Sequence, residues 1–204
     1  LSNNAWDQPV PYPSTRSYTY YSVFERGLSD GDLLYSGGYD SFYRYSISNR
    51  TWTALRAPYA DLGWRWDEWS PELHYPGNGD YLYSTRGRNR VNFARYSITQ
   101  DKWYDLSSPI FNFGYGHKLA GTVTNIYVLR GDSSRQFWRY NIVSDEWTAL
   151  ADVPGTVNYG SSLCYPGSGD FIYATRGDGS SDFYKYSITN NTWSQLANLP
   201  LVLL

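Results

Sequence analysis

Apolar and polar positions alternate along most of the chain in runs of roughly four to eight residues, each broken by Gly, Asp, Asn, Ser or Pro. Period-two alternation predicts half-buried strands, and no stretch carries the sustained apolar stripe of an amphipathic helix. One phrase then recurs. FYRYSISNRTW (Phe42 to Trp52) returns as FARYSITQDKW (Phe93 to Trp103), FWRYNIVSDEW (Phe137 to Trp147) and FYKYSITNNTW (Phe183 to Trp193). Its closing tryptophans stand 51, 44 and 46 residues apart. Periods of that length belong to radial β-architectures, in which one repeat is a four-stranded unit that cannot bury both faces alone.

Each repeat divides into four strand signals. The first covers Tyr18 to Arg26, Trp69 to Tyr75, Gly116 to Thr122 and Tyr159 to Tyr165. The second is Leu33 to Tyr35, Tyr81 to Tyr83, Ile126 to Val128 and Phe171 to Tyr173, closing at Gly38, Gly87, Gly131 and Gly177. The third carries Tyr45, Tyr96, Tyr140 and Tyr186. A polar turn leads to the fourth, which holds the tryptophan and runs to Pro58, Pro109, Pro154 or Pro200. The expected units are 14–58, 59–109, 110–154 and 155–200. Asn3 to Gln8 repeats the fourth-strand phrase of Asn190 to Gln195, so 1–13 reads as a surplus outer strand of a preceding or closing unit. The chain is then a section of a longer ring, half of a ring shared by two chains, or a four-unit ring capped by Trp6.

A tyrosine strand ending in Gly-Gly, followed by Tyr, a polar turn, Trp and Leu, resembles the kelch repeat of β-propellers. Leu34-Tyr35-Ser36-Gly37-Gly38, Tyr45, Trp52 and Leu55 carry the likeness in the first repeat. Later repeats depart from it: Arg86, Arg130 and Arg176 are read in place of the first glycine. The resemblance implies an all-β propeller of four complete blades. Kelch-like propellers host enzymes, sugar binders and adaptors, so it does not choose among them.

Composition sharpens this picture. Of 204 residues, 19% are aromatic, with 22 tyrosines and 9 tryptophans, which suits pleated surfaces. A formal charge of −2 argues against a nucleic-acid role, because phosphate binding needs a concentrated basic face. One cysteine, Cys164, leaves no internal disulfide and no zinc set, and no apolar run is long enough for a membrane span. Sequons at Asn49 and Asn190 fit an extracellular or cell-surface chain.

Chemistry is carried by few residues. Asp61 to Trp69 packs Trp64, Arg65, Trp66 and Trp69 into the link between the first two units, where aromatic faces beside charges suit a glycan or a protein hot spot. The competing reading has these tryptophans filling the wedge between blades. Arg86, Arg130 and Arg176 could form a guanidinium set on the same linking face, or tie down their own loops. Arg44, Arg95, Arg139 and Lys185 recur within the third strand, where contact between blades is expected. In two Arg-Gly-Asp triplets, ending at Asp132 and Asp178, the Arg-Gly comes from the repeat template and aspartate is ordinary in a turn, so adhesion is not the expected role. His74 and Cys164 occupy matching places in different repeats, so they cannot pair as base and nucleophile. His117 lies in another first strand. Asp178 to Asp182 lacks a complete calcium loop, and no cofactor or metal is implied.

The expected function is therefore a binding module that recognises a glycan or protein through its blade-linking loops. Assembly with other chains through the surplus amino-terminal strand is the alternative, together with the apolar tail Leu199 to Leu204. An enzyme acting on a sugar or metabolite ranks below both, because no acid and base stand at a recognisable spacing.

Overall fold

The structure is a computed structural model that describes residues 23–27 (backbone only), 33–66, 71–87 and 89–200. The Trp6 phrase, most of the first strand signal of the first repeat, Trp69 and the tail beyond Pro200 lie outside the described residues.

Among these residues the chain forms four antiparallel four-stranded sheets, each a simple meander. Blade 1 comprises β1 (Val23–Gly27), β2 (Leu33–Gly38), β3 (Ser41–Ser46) and β4 (Thr51–Leu55). One helical turn, α1 (Pro58–Leu62), follows, opened by Pro58 and closed by Gly63 at φ 72°. Blade 2 comprises β5 (Leu73–His74), β6 (Tyr81–Thr85), β7 (Phe93–Ser97) and β8 (Lys102–Asp105). Blade 3 holds β9 (Lys118–Gly121), β10 (Asn125–Leu129), β11 (Phe137–Asn141) and β12 (Glu146–Ala149). Blade 4 holds β13 (Ser162–Cys164), β14 (Phe171–Thr175), β15 (Phe183–Ser187) and β16 (Thr192–Gln195). First strands stand side by side, β5 between β1 and β9, and β9 beside β13, so the blades fan out from a common inner edge. The arrangement is propeller-like.

The core lies between blades rather than within them. Alternation sends Tyr35 and Phe42 to the back of blade 1, and Leu82, Tyr96 and Trp103 to the front of blade 2. These rows meet in one buried cluster, and the junctions of blades 2 with 3 and 3 with 4 repeat it. Phe42 meets Tyr96 edge-on at 4.9 Å between centroids, Phe93 meets Tyr140 at 4.8 Å, and Phe137 meets Tyr186 at 4.9 Å. Edge-to-face rings add to the area they bury, which is why the sequence spends so many aromatics at these places.

In blades 2, 3 and 4 the polar turn before the tryptophan clasps the preceding blade. In blade 2 the Tyr96 hydroxyl donates to Asp101 Oδ1 at 2.7 Å, and the Arg56 backbone N–H donates to the same oxygen at 2.9 Å. Trp103 Nε1 then donates to the Arg56 carbonyl at 2.6 Å. Asp145 does this in blade 3 with Tyr140 and Ser107, and Asn191 in blade 4 with Tyr186 and Ala151. Burial, then the neighbouring Asp101 and Asp145 carboxylates, hold the Tyr96 and Tyr140 hydroxyls protonated far above the usual range.

The structure departs from the sequence reading in three places. The second strand reaches Gly38 in blade 1 as expected but stops at Thr85, Leu129 and Thr175 in the others, short of Gly87, Gly131 and Gly177, and β5 shrinks to two residues. The turn of helix in the first link had no periodic signal, because five residues are too few to show one. The third concerns the glycines. Gly37 pairs with Phe42 as Thr85, Leu129 and Thr175 pair with Phe93, Phe137 and Phe183. Arg86, Arg130 and Arg176 therefore stand at the second glycine, Gly38, not the first.

Candidate functional site

At one end of the fan the β2–β3-type loops and the blade-to-blade links come together. Two short ladders lace them: Arg90 bridges Phe113, and Ser134 bridges Val157. Within blade 3 the Gly114 N–H donates to the Arg130 carbonyl at 2.9 Å, and the Asp132 N–H to the Tyr115 carbonyl at 2.7 Å. Blade 4 repeats the pair with Asn158 and Arg176, and with Asp178 and Tyr159. The glycine between them lies so close to the link that no side chain fits: a Cβ on Gly131 would stand 2.2 Å from the Tyr115 oxygen, and one on Gly177 2.2 Å from the Tyr159 oxygen. Both Arg-Gly-Asp triplets are thus parts of this lacing.

Trp64 and Trp66 do not offer faces to a ligand. Both are buried between blades 1 and 2, which corrects the expectation that they form the recognition surface. Trp66 meets Phe42 at 5.5 Å and Trp103 at 5.4 Å, and its Nε1 donates to Ser84 Oγ at 2.8 Å. Trp64 Nε1 reaches Asp105 Oδ1 at 3.4 Å. Phe111 and Phe113 fill the next junction with the same alternation, and Val157 fills the one after. The reason for the larger filler is local. A Cβ on Gly37 would lie 2.8 Å from the Trp66 ring, so the side chain missing from Gly37 is the space that Trp66 takes. Trp69 lies outside the described residues.

Arg65 points the other way. Its guanidinium carbon lies 3.7 Å from the centre of the Tyr59 ring and 5.9 Å from that of Tyr39, and these rings are 50% and 43% exposed. A cation over exposed aromatic faces is the chemistry the sequence reading sought in the tryptophans, built instead by the turn after β2, by α1 and by the link. Sequence alone missed Tyr39 and Tyr59 because neither sits near Arg65 in the repeat pattern.

The arginine set is mostly engaged locally. Arg130 donates to Gln136 Oε1 at 3.1 Å and to the Asn112 carbonyl at 3.4 Å, while Arg176 pairs with Asp182 at 2.8 Å and with Ser180 Oγ at 3.0 Å. Arg86 is half-buried; its backbone N–H donates to the Asn92 carbonyl at 3.1 Å, while its side-chain Nε is buried without a hydrogen-bond partner among the described residues. Arg95 lies over the Tyr81 ring of its own blade at 4.3 Å, and Lys185 over Phe171 at 4.7 Å.

At the inner edge, Glu72 and Lys118 form an ion pair between neighbouring blades, which no spacing in the sequence disclosed. Burial raises the Glu72 carboxyl above its usual range, with Lys118 pulling the other way. Beside it runs a closed relay: the Glu72 N–H donates to Thr85 Oγ1 at 3.0 Å, and that hydroxyl bonds His117 Nε2 at 2.8 Å. His117 Nδ1 lies 2.8 Å from the Gly114 carbonyl. A carbonyl only accepts, so Nδ1 carries the proton and Nε2 takes the threonine hydrogen. Among the described residues no three His, Cys, Asp or Glu side chains gather as a metal set. Cys164 is exposed.

This relay makes stability fall in mild acid. Burial lowers His117 and His74 to about 4, against about 6.5 unfolded. The unfolded chain therefore takes up the extra protons, so the contribution is whole above pH 6.5 and is lost as pH falls towards 4. Each histidine contributes on the order of 3 kcal/mol at neutral pH by this reckoning. Glu72 has the opposite sign, since its raised carboxyl favours the folded state as pH falls. Urea titrations at pH 7 and 4.5 should show the loss, and His117→Asn should show a markedly smaller one. Parallel pH profiles for the two proteins would rule out this role.

The fold and this surface define a class, a propeller-like all-β repeat protein. No family model and no curated protein matches the chain. Among solved structures it is similar to that of YjhT, with a TM-score of 0.64 and 16% identity. The match covers 87% of this chain and 65% of that one, so the chain spans somewhat less than two thirds of its neighbour's length. At that identity the likeness speaks for fold alone. No helix among the described residues is long and apolar enough to cross a membrane.

Proposed function

We propose that the chain is a kelch-like propeller module, extracellular or at a cell surface, that binds a glycan or a protein on its blade-linking face. The observation that carries this reading is the Tyr39–Arg65–Tyr59 platform, with two exposed rings flanking one guanidinium. Sugar CH groups stack on such rings while a guanidinium donates in a fork to hydroxyls or a carboxylate. The sequons suit it too. Asn49 and Asn190 are exposed in the turns after β3 and β15, at the opposite ends of those strands from the linking loops, so glycans there would leave the platform clear.

Glycan arrays and a display library of peptides identify the ligand, and isothermal titration then measures it against variants. Tyr59→Ala and Arg65→Ala should each weaken binding at least about tenfold, equivalent to about 1.4 kcal/mol. Val143→Ser, on an exposed turn at the other end of blade 3, should leave it unchanged. Binding that survives both platform substitutions removes the site.

A further inference from the structure

The junction between successive blades has two halves, and among the described residues blade 1 and blade 4 each carry one half that stays partly exposed. The back half is a stacked Tyr–Phe pair: Tyr35–Phe42 at 5.9 Å and 29°, Tyr83–Phe93 at 6.1 Å and 25°, and Tyr127–Phe137 at 6.0 Å and 21°. Each Phe in these pairs is only 1% exposed, because the next blade's front half sits on it. That front half is a row across three strands: Leu82–Tyr96–Trp103, Ile126–Tyr140–Trp147 and Ile172–Tyr186–Trp193. Its three tyrosines are likewise 1% exposed.

Blade 4 has the back half preformed. Tyr173 and Phe183 stack at 5.9 Å and 26°, yet both are only half-buried, and Phe171 beside them is 37% exposed. Cys164, paired across from Tyr173 and so on the same face, is exposed, whereas Ala120 in the same place of blade 3 is buried. Blade 1 has the front half preformed. Leu34, Tyr45 and Trp52 form the cross-strand row, with Tyr45 and Trp52 at 4.9 Å and 48° against 5.2 Å and 45° for Tyr96 and Trp103. Leu34 and Tyr45 are half-exposed, whereas their counterparts in the other blades are sealed.

We infer that these ends bind each other between copies: the front of blade 1 of one molecule seats on the back of blade 4 of another, extending the interface already made three times within the chain. The contact is heterologous, with different surfaces on the two partners. It is also weaker than an internal junction. Arg50 stands where Asp101, Asp145 and Asn191 form the clasp, and a guanidinium has no acceptor for the neighbour's N–H. Reversible, concentration-dependent association follows.

Sedimentation velocity and light scattering of the full chain over a range of concentrations should show assembly beyond the monomer. Tyr45→Lys damages only the front half and Phe183→Glu only the back, so each variant alone should fail to close or extend the assembly. Mixed in equal amounts they should associate one to one, because the first retains an intact back and the second an intact front. Cys164 reports in parallel: its reaction with a thiol reagent should slow at least tenfold on association in the parent and not in Phe183→Glu. Circular dichroism confirms that both variants fold. A parent that stays monomeric overturns the inference. Variants that associate as well as the parent, or a mixture that stays monomeric, overturn it equally.

Discussion

Gly131→Ala is expected to destabilise the protein by about 4 kcal/mol, or to prevent folding altogether. Two costs combine. Gly131 has φ 75°, a conformation that side chains resist by about 1–2 kcal/mol. The added methyl would also stand 2.2 Å from the Tyr115 oxygen and 2.5 Å from the His117 nitrogen, both backbone atoms held by their own hydrogen bonds. Gly179→Ala separates the two, since Gly179 has φ 68° with open space around it and should lose only the conformational part. Urea unfolding measures both. A drop in Tm of roughly 10 °C is expected for Gly131→Ala, against a few degrees for Gly179→Ala. Equal, mild effects would mean that the loop and link are not laced as described.

Trp103→Ala should cost about 3–5 kcal/mol, the range for emptying a large aromatic site. Trp103 is 1% exposed and meets Phe42, Trp66 and Tyr96, so its removal opens the junction between blades 1 and 2 from both sides. Trp103→Phe keeps most of the ring contact but loses the 2.6 Å bond to the Arg56 carbonyl, and should cost about half as much. Because blades contact only their neighbours, the damage is local. Hydrogen exchange in Trp103→Ala should accelerate first in β2 and β3, while the junction of blades 3 and 4 keeps its protection. Uniform acceleration along the chain would contradict junction-by-junction stability.

Both effects arise at places the repeat pattern marks, but for reasons it does not state. Gly131 reads as a strand terminator, and only the approach of the link shows why no other residue fits. Trp103 reads as the end of a repeated phrase, and its neighbours Phe42 and Trp66 lie 61 and 37 residues earlier. The same holds for Trp64 and Trp66. Their spacing resembled an aromatic recognition stretch because two hydrophobics with one residue between them look alike whether they face a ligand or a neighbouring sheet.

What the amino-acid sequence determined alone is the local grammar: strands from alternation, hairpins from Gly, Asp and Asn, and four equivalent units from the returning Tyr–Trp phrase. These depend on residues close in the chain, where steric preference and period are enough. Which aromatic faces are covered was decided only by tertiary structure. Rows some 45 residues apart must meet across a junction before Phe42 is sealed and Phe183 is not, and before Tyr39, Tyr59 and Arg65 form one exposed cluster.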